Sequence, residues 1–314
     1  MPNYSPFCSL KLIANAYEAM DDAPLEIMYA GFWDTFYKPP KENSLRCMIR
    51  ALFAGMGIKK KIIVVSVFGT THLQTIHKEK DTIYVGFSGE PHSLNPSWFD
   101  INLIMEPTQL DKNIISLPNF ITNIYEFGLW PYLQMPRPVY PLEKKKFCTF
   151  VVRNGGCNVR NQFMKALSKY KKVDCAGTYM NNMPGNMTAP EDEQVYGDRY
   201  LGFLQTYKFM ICFENCKKPG YITEKIMNAY MAGCIPIYWG SHEALTWLNP
   251  KAFLFLENET PEAMQELVKK VIEMDQEPIL YKQMFMESLL HSIPEEWKIE
   301  NIRDKIQICL NKRT

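Results

Sequence analysis

Short apolar runs rich in valine, isoleucine and aromatic residues recur along this chain, separated by stretches of helical spacing. That alternation constrains the fold more than any other feature, because it is the pattern of α/β architecture. In the first half the strand-like runs are LEIMYAGFW (25–33), KIIVVSVFG (61–69), TIYVGFSGE (82–90) and FDINLIME (99–106). SLRCMIRALFAG (44–55) reads as a helix opened by a serine cap and closed by a glycine. A second series begins with KFCTFVV (146–152) and continues through KKVDCAG (171–177), MICFE (210–214), CIPIYW (234–239) and AFLFL (252–256). Residues 160–170 read as a helix, 178–200 as a long polar loop, and Met264, Leu267, Val268, Val271 and Ile272 as one helical face. Between the two series lies LWPYLQMPRPVYPLEKKK (129–146), whose four prolines and lysine run predict a linker. The 314 residues therefore divide into two Rossmann-like domains facing a cleft, 1–142 and 143–314, with the last helix free to pack back on the first.

Three loops carry chemistry. The strand MICFE places Asn215 to Tyr221 at its carboxyl end, the edge where open α/β sheets bind ligands. Thr223 caps a helix with apolar residues Ile226, Ala229, Tyr230 and Gly233, which puts Glu224 and Lys225 in the first turn. The free N–H groups and positive dipole end of such a helix suit a phosphate, and a capped surface helix is the plain alternative. RNGGCNVRN (153–161) also joins a strand to a helix, with Gly155 and Gly156 allowing close backbone approach and Arg160 at the helix start. In FSGEP (87–91), Glu90 closes a strand of the other half. It reads either as a solvated turn carboxylate or, if shielded from water, as a general base with a raised pKa.

Composition excludes several classes. Hydrophobic residues make up 46% and charged residues 22%. Lysine plus arginine (35) nearly balances aspartate plus glutamate (34), so no nucleic-acid partner is expected. The runs Lys59 to Lys61 and Lys144 to Lys146 read as solvated loops. Nine scattered cysteines read as reduced, mostly buried thiols, and the five histidines include no His-x-x-x-His pair, so no metal site is expected. No window approaches the roughly 18 apolar residues of a membrane span, and the start lacks a signal peptide. Sequons at Asn3, Asn186 and Asn258 carry little weight without one. A cytoplasmic protein is expected, with room for peripheral contact with a membrane and no reading of oligomeric state.

Taken together, FCTFVVRNGGCNVRNQFMKAL, YKFMICFEN and GYITEKIMNAYMAGCIPIYWG resemble the donor half of the α-1,3/α-1,4-fucosyltransferases, an inverting GT-B family that uses GDP-fucose. The match is dense over 146–247, and YVGFSGEP with FDINLIMEP resembles the family's glutamate-bearing turn and the strand after it. The resemblance implies that Arg160 and Lys225 hold the diphosphate. It implies that Asn215, Tyr221 and Glu224 contact the nucleotide or the donor sugar, and that Glu90 is the base. His92 and Asn95, just past Glu90, could touch a glycan acceptor of the N-acetyllactosamine type. Of Trp33, Phe36, Tyr37, Trp98, Tyr125, Phe127 and Trp130, most read as core and some as platforms for sugar faces. No Asp-x-Asp motif is present, so no obligatory metal cofactor is expected. The chain has neither a heptad-repeat tail nor a membrane stem, as expected of a soluble bacterial-type or viral-type member or a trimmed form. A transferase for another GDP-sugar and a non-catalytic nucleotide-sugar-binding protein are the alternatives.

Overall fold

The computed structural model describes residues 25–37, 44–69, 78–92, 94–137, 145–185, 187 and 198–312. Cys8, His72, His77, the sequons at Asn3 and Asn186, residues 138–144 of the expected linker and 188–197 of the expected polar loop lie outside them. The fold is α/β, with two Rossmann-like units. The first holds the described residues up to Trp130, Pro219–Tyr221, and the described residues from Ile293 on. The second holds Pro131–Lys218 and Ile222–Ser292. The division thus falls twelve positions before the expected 142/143 boundary, and two later segments return to the first unit.

The first unit is built on five parallel strands in sequential order: β1 (Ile27–Ala30), β2 (Lys61–Ser66), β3 (Thr82–Ser88), β4 (Ile101–Ile104) and β5 (Ile114–Ser116). Every residue of β3 and β4 is buried, as a parallel sheet covered on both faces requires. Helices α1 (Ser44–Phe53), α2 (Asn119–Phe127) and α8 (Ile299–Asn311) belong to this unit and pack together. Arg303 of α8 donates to the Ala51 carbonyl at 2.6 Å, and the Trp297 ring meets Phe120 edge-on at 5.3 Å. Helix α1 is followed by Gly55 at φ +70°, the closure expected of it.

Two glycines pinch the exits of β1 and β2 together. Gly31 has φ +69°, and a Cβ there would lie 2.1 Å from the Gly69 Cα. Gly31→Ala is therefore expected to destabilise the protein by more than about 1 kcal/mol, read as a lowered urea midpoint. An unchanged midpoint would refute this close approach.

The second unit orders its parallel strands β7-β6-β8-β9-β10. They are β6 (Lys146–Phe150), β7 (Val173–Cys175), β8 (Tyr207–Phe213), β9 (Ile235–Trp239) and β10 (Leu254–Phe255). Helices α3 (Asn158–Ser168), α4 (Asp198–Leu204), α5 (Glu224–Met231), α6 (Pro261–Gln276) and α7 (Pro278–Phe285) complete it. Helix α6 opens on a Thr260 cap bonded to the Ala263 N–H at 3.2 Å, with proline at its first position. It buries Met264, Leu267, Val271 and Met274. Asp275 anchors its far end, taking Lys208 Nζ at 2.6 Å and the Tyr170 hydroxyl at 3.1 Å.

Three expectations need correction. The end of the expected polar loop is helical, because Asp198 begins α4. The proline-rich stretch is not a loose linker before residue 138: Leu133 is fully buried, and Arg137 is 2% exposed in the second unit's core. The Arg137 guanidinium donates to the carbonyls of Cys234 (3.1 Å), Met284 (2.8 Å), Phe285 (3.0 Å), Glu287 (3.3 Å) and Ala252, and lies 4.4 Å from the Tyr230 ring centroid. Lys145, expected in solvent, donates instead to the Gly233 carbonyl at 2.8 Å, and burial lowers its pKa. The described cysteines are all free thiols, buried except for Cys216 at intermediate exposure. Among the described residues no helix is long and apolar enough to cross a membrane.

Candidate active site

In the second unit the chain leaves β6 toward β7 on one side, then returns to build β8, β9 and β10 on the other. Strand order reverses between β6 and β8, and open α/β sheets bind ligands outside the carboxyl ends of the strands at such a point. Both loops singled out by sequence leave the sheet here.

The loop after β6 is held from three sides. The Asn154 Oδ1 accepts the Gly156 N–H at 2.8 Å, closing an Asx turn. Gly155 lies beneath the Tyr179 ring, where a Cβ would be 2.2 Å from Cε2. Arg160, 1% exposed, donates to the Asn154 carbonyl, to the Phe213 carbonyl (3.4 Å) and to the Asn215 Oδ1 (2.9 Å). One guanidinium therefore ties the exit of β6 to the exit of β8. Beside it the Asn161 Nδ2 donates to the Gly155 carbonyl at 2.7 Å, while its buried Oδ1 has no partner.

At the exit of β8 the apolar strand ends on Glu214, fully buried. Its carboxylate accepts from the Thr223 N–H (2.8 Å), the Thr223 hydroxyl (2.8 Å) and the Lys225 ammonium (2.8 Å). Burial raises the Glu214 pKa, and Lys225 and the Thr223 N–H oppose that rise. Two of these partners can only donate, so the pocket suits the anion. Thr223 does occupy the N-cap position of α5, but its side chain makes no cap bond, contrary to expectation. The first turn of α3 likewise lacks a side-chain cap. Uncapped helix starts expose N–H groups suited to an anion. Glu224 stands in the first turn of α5, its Oε1 3.9 Å from the Lys225 Nζ.

Arg160, Asn215, Glu224 and Lys225 are thus gathered at the two loops of one unit. Tyr221 is 2% exposed and groups with the first unit. Glu90, partly buried, sits in the turn after β3 of that unit. The buried Ser88 Oγ accepts the Glu90 N–H (3.3 Å) and reaches the Glu90 carbonyl (2.9 Å), while Asn119 Nδ2 donates to the Gly89 carbonyl (3.3 Å). His92 is exposed, its ring 6.3 Å from that of Phe68, itself 51% exposed. The Asn95 Oδ1 caps a short turn, accepting from the Ser97 N–H (3.2 Å) and hydroxyl (2.8 Å). Of the aromatics, Phe36 and Trp130 are buried, Trp33 and Tyr37 stand 46% and 44% exposed, and the Phe127 side chain lies outside the description.

Among the described residues no three His, Cys, Asp or Glu side chains cluster as metal ligands would. In the sequence Glu214 is only the last residue of the MICFE strand, and nothing marks Asn161. The available signal was a charged residue closing a wholly apolar run.

Residues 141–311, just over half of the chain, match the model for glycosyltransferase family 10 (fucosyltransferase), C-terminal region. The chain is 25% identical over 234 residues to a fucosyltransferase candidate of Acanthamoeba polyphaga mimivirus, 74% of this chain and 37% of that protein. It is 38% identical over 111 residues to the alpha-(1,3)-fucosyltransferase FucT of Helicobacter pylori, 35% of this chain and 21% of that protein. It is 28% identical over 141 residues to the GDP-fucose protein O-fucosyltransferase 3 of Gallus gallus, 43% of this chain and 29% of that protein. In each case the match spans less than two fifths of the relative's length. A crystal structure of an alpha1,3-fucosyltransferase with GDP-fucose is similar at TM-score 0.67 and 20% identity, covering 96% of this chain and 97% of that one, a likeness of fold. On the family match, the chain belongs to glycosyltransferase family 10, the fucosyltransferases.

Proposed function

We propose that the protein transfers L-fucose from GDP-β-L-fucose to a hydroxyl of an N-acetylglucosamine-containing glycan, making an α-1,3 or α-1,4 linkage with inversion. The observation that carries this reading is that the Arg160–Asn215 bond and, through neighbouring Glu214, the start of α5 are both fixed at the exit of β8, at the strand-order reversal of the second unit. Arg160 and Lys225 take the diphosphate. Asn215, Tyr221 and Glu224 contact the nucleotide or the fucose. Glu90 removes the proton of the acceptor hydroxyl as its oxygen bonds to the anomeric carbon. The bond from that carbon to the phosphate oxygen breaks, and GDP leaves with the electron pair. Protein cations and the start of α5 stabilise the charge growing on GDP. The acceptor contacts of His92 and Asn95, where made, are secondary.

No divalent metal is needed in this scheme, so activity is expected to persist in excess chelator. Complete loss restored only by manganese would refute it.

Mass spectrometry of purified protein with GDP-fucose and N-acetyllactosamine, lacto-N-biose, lactose or no acceptor tests the whole reading. A product heavier by one deoxyhexose is expected with an N-acetylglucosamine-bearing acceptor. A serine- and threonine-containing peptide belongs in the same panel, because a protein O-fucosyltransferase is among the relatives. A panel of GDP-sugars separates another donor, and GDP binding without turnover would mark a non-catalytic protein.

A further inference from the structure

The carboxylate at the end of β8 does more than fill the core. Glu214 is fully buried, and the Thr223 Oγ1 lies between it and Lys225, 2.8 Å from the Lys225 Nζ and 2.8 Å from the Glu214 Oε2. The hydroxyl therefore accepts from the ammonium and donates to the carboxylate, while the ammonium also donates directly to Glu214 at 2.8 Å. Room for the carboxylate comes from Gly240, where a Cβ would lie 2.8 Å from the Glu214 Cγ. Two consequences follow at the start of α5. Thr223 stands at the N-cap position with extended backbone, yet makes no cap bond, whereas Thr260 in the same position does cap α6. The Lys225 side chain, 17% exposed, is held in one direction before any ligand arrives.

We propose that Glu214 is a positioning residue of the donor site, one that aims the Lys225 ammonium and turns the Thr223 hydroxyl away from the start of α5. The proposal rests on the donor reading above and deepens it. A lysine already fixed loses little side-chain freedom when a diphosphate binds, and an uncapped first turn keeps its N–H groups for the phosphate oxygens. Glu214 touches no substrate in this account. It acts through Lys225 and Thr223.

The test is calorimetric titration of GDP onto the wild-type protein, Glu214→Gln, Lys225→Met and the double variant, from pH 7 to pH 9. Among the described residues, the charged or titratable groups facing Lys225 include Glu214 and Cys212 at the end of β8, Glu224 on α5 and Tyr200 on α4. Removing the Glu214 charge takes away the anion nearest the ammonium. GDP affinity of Glu214→Gln is therefore expected to fall with rising pH, relative to wild type in the same buffers. In the Lys225→Met background the Glu214→Gln change is expected to have no such effect, a coupling of about threefold or more at the upper pH. Thr223→Val should shift the profile in the same direction by less, and it carries the test if Glu214→Gln does not fold. A Glu214→Gln profile parallel to wild type, or equal effects with and without Lys225, would overturn the proposal and leave Glu214 a packing residue. Absence of GDP binding by the wild-type protein would instead overturn the donor reading beneath it.

Discussion

Glu90→Gln is expected to slow fucosyl transfer by about 10²- to 10⁴-fold while leaving GDP affinity nearly unchanged. The size follows from the proposed role of Glu90 as the base: an amide cannot accept the acceptor's proton, and the hydroxyl must then attack unassisted. The selectivity follows from position. Glu90 lies in the first unit, whereas Arg160, Asn215, Glu224 and Lys225 lie in the second. The turn should also survive the change, because Ser88 and Asn119 hold it through the backbone of residues 89 and 90. Steady-state turnover beside a GDP titration reads both quantities. Turnover near wild type would remove Glu90 as the base, and a parallel loss of GDP affinity would point to a disturbed fold.

Arg137→Met is expected to destabilise the second unit by on the order of 4 kcal/mol or more. One guanidinium serves the carbonyls of Cys234, Ala252, Met284, Phe285 and Glu287. Each buried carbonyl left without a donor costs about 1–3 kcal/mol, and methionine replaces the stem but none of the bonds. The unfolding temperature should drop by roughly 10 °C. Scanning calorimetry or a urea titration of the full chain would show it. A shift of only a degree or two would mean that other groups take over these carbonyls.

What could be read in the sequence was what repeats locally. Runs such as IIVV and FMICF announce themselves because a parallel strand covered on both faces is apolar at nearly every position. The glycine pair at 155 and 156 and the Thr-Glu-Lys run mark turns that join a strand to a helix, and both loops fall at the strand-order reversal. Strand β5 was not legible, since Ile114–Ser116 is too short for its pattern to stand out. Arg137 and Lys145 were misread for a different reason. Their partners are carbonyls 88 to 150 residues away, and a cation buried by remote backbone looks in sequence like any solvated charge. Glu214 was legible only as a charge after an apolar strand, because its partners Thr223 and Lys225 meet it through the fold.

Helix α8 carries a consequence for how the protein is made. The strands of the first sheet occupy residues 27–116, but a helix that packs on α1 and on β4 and β5 comes from residues 299–311. Synthesis runs in that order, and domains emerging from a ribosome generally fold in the order they appear. Here every residue of the second unit leaves the ribosome before α8 does. The unit begun first is therefore completed last, and neither the Arg303 bond to the Ala51 carbonyl nor the Trp297 contact with Phe120 can form until then.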